Sequence, residues 1–288
     1  MTFPLDPYPE VIITAALTGM LPTRAQTPHV PLTETEIIAD ALACRAAGAA
    51  IVHLHVRDED GKPDYRADRY GRIIRAIRAE TDLLICASTS ARVYQEYEKR
   101  AEVLYLDGVE RPDLASLTAG SFNFPTQASV NSPETIFRLA ETMIAQGIKP
   151  EIEVFDAGML NYAKYLDRKL NLPKPLYFTL LLGSLGGIPG RPGDLSYLTR
   201  DLPDGCVWSA TGIGSFQLPV NIAALLEGGG VRVGLEDNIY YDHDRHDLAT
   251  NRRLVERVVR IATELQRRVA TPDEARIMLG LPAEPGCA

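Results

Sequence analysis

His53 and His55 are the residues of this chain most able to act together chemically. They lie in the run Ile51-Val52-His53-Leu54-His55-Val56-Arg57-Asp58, which is β-branched, apolar and short enough to be a buried strand. Side chains two apart on a strand share a face, so both imidazoles project into one cavity, and two converging imidazoles make most of a zinc site. The competing reading is a hydrogen-bonded pair of core histidines, and the Arg57-Asp58 end of the run favours the metal. Far downstream, Val231-Arg232-Val233-Gly234-Leu235-Glu236-Asp237-Asn238 carries a second apolar strand into charge. Glu236 supplies a third ligand if that strand closes beside the histidines. Two imidazoles and one carboxylate leave coordination open, the pattern of a catalytic ion that polarises a carbonyl or activates water. Asp237, next in the chain and pointing elsewhere, is a candidate base with Arg232 as its charge partner. Arg232 as an ordinary charged plug, and Glu236-Asp237 as a solvated turn or helix cap, are the alternatives.

Other residues fit the same cavity. Glu151 and Glu153 alternate along Glu151-Ile152-Glu153-Val154-Phe155-Asp156, and carboxylates inside a strand are costly unless paired, so one of them serves structure through an arginine. Ser88-Thr89 and Ser116 either donate hydroxyls to a substrate carboxylate or fill space between strands. Gly183-Ser184-Leu185-Gly186-Gly187 follows a strand, and Gly183, Gly186 and Gly187 permit close backbone approach to a phosphate-bearing ligand. His29, His243 and His246 sit in polar loops and read as solvated.

The elements that must position these groups alternate in type. Candidate strands are Val11 to Thr18, Ala50 to Val56, Leu83 to Ser88, Leu114 to Ala119, Glu151 to Phe155, Leu176 to Leu182, Cys206 to Ala210 and Val231 to Leu235. Candidate helices are Thr33 to Ala47, Arg69 to Thr81, Tyr94 to Glu102, Pro133 to Gln146, Met159 to Lys169, Pro192 to Arg200, Pro219 to Glu227 and Thr250 to Arg268. Thr33 with Glu36 reads as a capping box, Ser132-Pro133 as a helix start, Gly48 and Gly147 as helix stops. Eight strand-helix repeats without a linker or compositional break predict an α/β chain, a single (β/α)8 barrel over residues 1–288, with a short capped helix at Ala270-Thr271-Pro272-Asp273-Glu274-Ala275-Arg276 packed on it. A doubly wound open sheet is the rival; no Gly-x-Gly-x-x-Gly follows the first strand, and polar residues gather after many strands. Closure of a barrel brings the first, second and eighth strands together, and Glu236 to the histidines.

Bulk properties narrow the partners. A net charge of -8 over 288 residues, with no cluster of Lys and Arg among aromatics, speaks against nucleic acid. No apolar run is long enough to cross a bilayer. Met1-Thr2-Phe3-Pro4-Leu5-Asp6 shows no secretion signal, which predicts a cytoplasmic protein. Cys44, Cys86, Cys206 and Cys287 have no CxxC spacing, so a disulfide framework and a thiolate zinc site are both disfavoured, and a metal falls to His and carboxylate.

Five stretches run in one order across nearly the whole chain: Ala47-Gly48-Ala49-Ala50-Ile51-Val52-His53-Leu54-His55-Val56-Arg57-Asp58, Gly120-Ser121-Phe122-Asn123-Phe124, Pro150-Glu151-Ile152-Glu153-Val154-Phe155-Asp156-Ala157-Gly158, the 231–238 run and the 270–276 run. Together they resemble the β-keto acid cleavage enzymes, formerly a domain of unknown function, whose type member cleaves 3-keto-5-aminohexanoate. The resemblance implies a zinc-dependent barrel, usually a homotetramer, that condenses a β-keto acid with acetyl-CoA to give acetoacetate and a new CoA thioester. It implies His53, His55 and Glu236 as zinc ligands, and Asp237 with Arg232 as the pair that removes a proton from the acetyl methyl. Ser88, Thr89 and Ser116 would hold the keto acid, with Glu153 close to the reacting centre. Two positions depart from the family. Leu21 stands where the type member has a glutamate for the substrate ammonium, which predicts a neutral or apolar keto acid. Tyr241-Asp242-His243-Asp244-Arg245-His246 replaces a short turn, so CoA contacts from that loop do not carry over. Two other readings share the histidines: a zinc lyase or hydrolase resembling class II aldolases without CoA, and a non-catalytic metal-binding scaffold.

Overall fold

The computed structural model describes residues 8–283; the expectations on the first six residues and on Cys287 lie outside them. The apolar runs form eight parallel strands: β1 (Ile13–Ala16), β2 (Ile51–Leu54), β3 (Leu84–Ala87), β4 (Leu114–Thr118), β5 (Lys149–Val154), β6 (Tyr177–Leu182), β7 (Val207–Gly212) and β8 (Gly230–Val233). Each pairs with its sequence neighbours, and β8 returns to β1 with Thr14 beside Arg232, so the sheet closes on itself. Parallel neighbours need crossovers, and the helices between strands supply them outside the barrel. Among the described residues no helix is long and apolar enough to cross a membrane.

Local chemistry sets the helix boundaries. Thr33 and Glu36 form the expected capping box on the helix Glu34–Ala47, which ends at Gly48 in the left-handed region. Ser132 caps Pro133–Ala145, and Thr271 with Glu274 caps the terminal helix Pro272–Met278. The helix expected through Arg268 stops at Glu264. Beyond it the buried Arg267 turns inward and donates to the carbonyls of Leu225, Gly229, Pro9 and Gly228, tying the barrel floor together.

Two further expectations fail in detail. The second strand breaks after Leu54, and Val56–Arg57 instead pairs antiparallel with Pro63–Asp64. The cause is a tight turn in which Asp58 Oδ1 accepts the N–H groups of Asp60 and Lys62. The helix expected from Tyr94 to Glu102 is α-helical only over Tyr97–Ala101, followed by a 3-10 turn over Glu102–Tyr105.

One side chain clamps the upper ends of β1 and β8. The buried Asn251, first residue of the helix Asn251–Glu264, donates to Leu17 O at 2.9 Å and to Asp40 Oδ2 at 2.5 Å, and accepts from the Leu235 N–H at 2.7 Å. Burial raises the Asp40 carboxyl to about 6 from an ordinary 3.8, with the Asn251 hydrogen bond pulling the other way. The folded state therefore binds the Asp40 proton more tightly than the unfolded chain does. Asp40 favours folding most below the unfolded value, and that contribution is lost as pH rises through about 6. Asp40→Asn should accordingly gain stability relative to the parent across about pH 4 to 6, reaching roughly 2–3 kcal/mol at neutral pH in urea denaturation. A difference independent of pH over that window would mean that Asp40 titrates normally.

Candidate active site

The reactive groups converge at the carboxyl ends of the strands, where a barrel leaves its loops free to vary. His53 comes from β2, Glu153 from β5 and Arg232 from β8; Glu236 and Asp237 follow β8. His55 lies past the strand break, yet its Nε2 is 3.2 Å from His53 Nε2. Glu236 Oε1 lies 3.2 Å from His55 Nε2, and Glu236 Oε2 lies 3.8 Å from His53 Nε2. The close approach of Glu236 rests on Gly19, whose φ is 63°: a Cβ there would meet Glu236 Cγ at 2.6 Å.

These distances suit a metal ion. Ligand atoms about 2.0–2.1 Å from a tetrahedral ion stand about 3.4 Å apart, the middle of the observed spread. Glu236 Oε2 is buried without a hydrogen-bond partner, a cost that an ion would remove. Behind His53, Nδ1 is 3.5 Å from Glu151 Oε2, at the outer limit of hydrogen bonding. Glu151 is anchored by the Thr179 hydroxyl at 2.6 Å and the Cys86 thiol at 2.9 Å. A carboxylate behind a ligating imidazole sets its tautomer and orientation.

Arg232 is the hub. Its side chain is 1% exposed, and its guanidinium reaches Glu236 at 2.8 Å, Asp237 at 3.1 Å and Glu153 at 3.3 Å. Asp237 also accepts from the Thr211 hydroxyl, and Glu153 from Thr118. Burial opposes charge on Glu236, but His55, Arg232 and His53 outweigh it and hold that carboxyl well below the usual range. For Asp237 burial wins: with the charge of Glu236 it raises the carboxyl against the pull of Arg232. Burial likewise raises Glu153. Neighbouring carboxylates are thus driven apart, one kept ionised and one made more basic.

The cavity above these groups has a volume of about 390 Å³ and an apolar wall that includes Phe122, Phe155 and Leu181. Leu21, half exposed, is on its rim, and Ser88 lines it. Thr89 and Ser116 meet each other instead: the Thr89 N–H donates to Ser116 Oγ at 3.1 Å, and the Thr89 hydroxyl donates to Ser116 O at 2.6 Å. Of the three glycines, Gly183 lines the cavity. A Cβ on Gly186 would strike Asn123 O and one on Gly187 would meet Phe155 O at 2.7 Å, so both serve backbone packing. His29, His243 and His246 are exposed. Sequence reasoning missed Cys86, whose thiol reaches inward from β3 to Glu151 on β5. It also missed Arg92, a cation in the loop after β3 that lines the cavity, although a lone arginine beyond a strand end was a visible signal.

A family model described as beta-keto acid cleavage enzyme matches residues 10–281. A 3-keto-5-aminohexanoate cleavage enzyme of Fusobacterium nucleatum subsp. nucleatum is 40% identical over 275 residues, covering 94% of this chain and 98% of its own. A 3-oxoadipate:acetyl-CoA acetyltransferase of Cupriavidus necator is 37% identical over 277 residues, covering 94% and 95%. The apo structure of ObcA aligns with a TM-score of 0.78 at 21% identity, covering 88% of this chain and 66% of that one. This chain thus spans about two thirds of the length of ObcA, and that likeness carries the fold alone.

Zinc added to chelator-stripped protein should raise its unfolding free energy by about 4 kcal/mol at a thousandfold excess over Kd, seen as a higher Tm. Glu236→Gln should shrink that gain and the bound zinc in metal analysis. A wild-type Tm indifferent to zinc removes the metal reading.

Proposed function

The chain belongs to the beta-keto acid cleavage enzyme family, and on that premise we propose that it is an acyltransferase converting a β-keto acid and acetyl-CoA into acetoacetate and a new acyl-CoA. The observation that carries the reading is one guanidinium, that of Arg232, joined to both the ionised Glu236 and the more basic Asp237. A scaffold without chemistry has no need to bury such a cluster, and a lyase or hydrolase has no need of CoA.

Atom balance fixes the site of proton removal. The new carbon–carbon bond of acetoacetate joins C2 of the keto acid to the acetyl carbonyl carbon, so the carbanion forms at C2 and not, as the family resemblance suggested, on the acetyl methyl. C2 is also the more acidic carbon, flanked by a ketone and a carboxylate. Zinc held by His53, His55 and Glu236 would polarise the keto oxygen and acidify that position. Asp237 takes the C2 proton while Arg232 and Thr211 hold the carboxylate in place. The C2 carbanion attacks the acetyl carbonyl, CoA sulfur passes to the keto carbon, and the C2–C3 bond breaks. The electron pair of that bond returns to C2, which recovers its proton from Asp237. Arg232 also faces Glu153, which borders the reacting carbons. Ser88 holds the keto acid, with Thr89 and Ser116 fixing the loop behind it, and Gly183 lets the CoA arm approach the backbone. The working assembly is read as a homotetramer on the family resemblance. Leu21 offers an ammonium no partner, so the tail is neutral or apolar where it meets that wall.

Purified enzyme incubated with zinc, acetyl-CoA and a panel of β-keto acids should release acetoacetate, and Asp237→Asn should lower kcat by about 10²–10⁴. Failure to detect acetoacetate from any keto acid would leave the CoA-independent lyase or hydrolase. Leu21→Glu should cost about tenfold or more in kcat/KM on a tail that is apolar at Leu21 and favour a tail bearing an ammonium. Undiminished turnover of the apolar tail would show that Leu21 does not read it.

A further inference from the structure

Two arginines line the cavity. Arg232 is engaged by three carboxylates; Arg92 has none. It stands four residues beyond Ser88, and its guanidinium carbon lies 3.3 Å from the centre of the Phe124 ring. Its Nε is buried without a hydrogen-bond partner, and among the described residues its side chain forms no ion pair. Its backbone, by contrast, is held at both ends. The Arg92 N–H donates to Ser90 Oγ at 3.2 Å, and the Arg92 carbonyl accepts from Gln127 Nε2 at 2.7 Å. The base of the side chain is thereby tied to the hairpin of Phe122–Asn123 and Ala128–Ser129, whose turn carries Phe124 and Gln127.

A guanidinium partly withdrawn from water, with its Nε fully buried, and left without a counter-charge is costly. Burial pushes Arg92 below its ordinary value, and Glu236, Asp237 and Glu153 sustain its charge only from a distance. Stacking over an aromatic face secures the planar group and leaves its in-plane N–H donors free, the arrangement suited to a carboxylate. Such a pre-positioned donor set rewards a ligand that completes it and rejects one that does not.

We propose that Arg92 binds a carboxylate at the far end of the keto acid's tail. The proposal rests on the acyl-transfer reading and narrows its substrate class to β-keto acids that are also dicarboxylates, with methylenes against Leu21 and the terminal anion on Arg92. The C1 carboxylate is common to every β-keto acid and belongs with Ser88 and the zinc ligands. The phosphates of CoA are separated from the reacting thioester by the length of the pantetheine arm, and the test below tells them from the tail.

The test compares 3-oxoadipate with 3-oxohexanoate, which differ at the tail end. Wild-type enzyme should prefer the dicarboxylate by about tenfold or more in kcat/KM, and Arg92→Met should reduce that preference by about thirtyfold or more, through the KM of the keto acid. Arg92→Lys, which keeps the charge but not the fork, should retain part of it. Equal turnover of the two acids by wild type overturns the proposal without any variant. So does an Arg92→Met defect that falls equally on both acids, or that appears in the KM of acetyl-CoA, which would assign Arg92 to C1 or to the CoA phosphates. Glutarate binding by calorimetry needs no turnover: it should be about tenfold or more tighter than butyrate binding and lose that margin in Arg92→Met. If glutarate behaves so while no keto acid yields acetoacetate, the anion site stands and the reaction reading falls. If acetoacetate forms but the tail makes no difference, the reverse holds.

Discussion

One buried cation holds the catalytic end of this barrel together. Arg232 meets three carboxylates contributed by β5 and by the loop after β8, and none of the three would tolerate burial alone. Taking away one partner from such a set leaves uncompensated charge in a low-dielectric interior, a penalty of about 3–5 kcal/mol. The same guanidinium that makes the cluster tolerable also divides its members. Glu236, flanked by two imidazoles as well, stays ionised, whereas Asp237 is made more basic by burial and by its neighbour. Stability and reactivity at this site therefore share a cause.

The support continues downward in layers. Glu151 stands behind His53 and is itself anchored by Thr179 and Cys86. Beneath them the Tyr177 hydroxyl links Thr14 and Ser209 across the interior. Polar groups buried in this way rigidify only when their partners are complete. Asn251 does the equivalent work outside the barrel, bridging the backbone after β1 to the backbone before Glu236.

Period and punctuation made the barrel legible in the amino-acid sequence: eight apolar runs of strand length separated by capped helical stretches admit few topologies. The convergence of His53 with Glu236 was legible for the same reason, because closure makes the first, second and eighth strands neighbours. What was not legible depends on turns and on single contacts. The break after Leu54 comes from an aspartate that captures two backbone N–H groups, which no strand periodicity records. Thr89 and Ser116 have the right chemistry for ligand binding, yet both donors of Thr89 are spent on oxygens of Ser116. Gly186 and Gly187 look like a phosphate cradle but owe their lack of a side chain to carbonyls pressed against them. Its place in the cavity wall, not its residue type, separates Arg92 from the many surface arginines.

The split origin of the cluster of His53, His55 and Glu236 has a bearing on biogenesis. His53 and His55 leave the ribosome early; Arg232 and Glu236 emerge only with the final strand. A nascent chain bearing seven strands holds two imidazoles without Glu236, and Glu153 without the arginine that neutralises it. Ring closure and maturation of the reactive centre are consequently a single event, and a half-made polypeptide offers the cell no premature, partly competent catalyst.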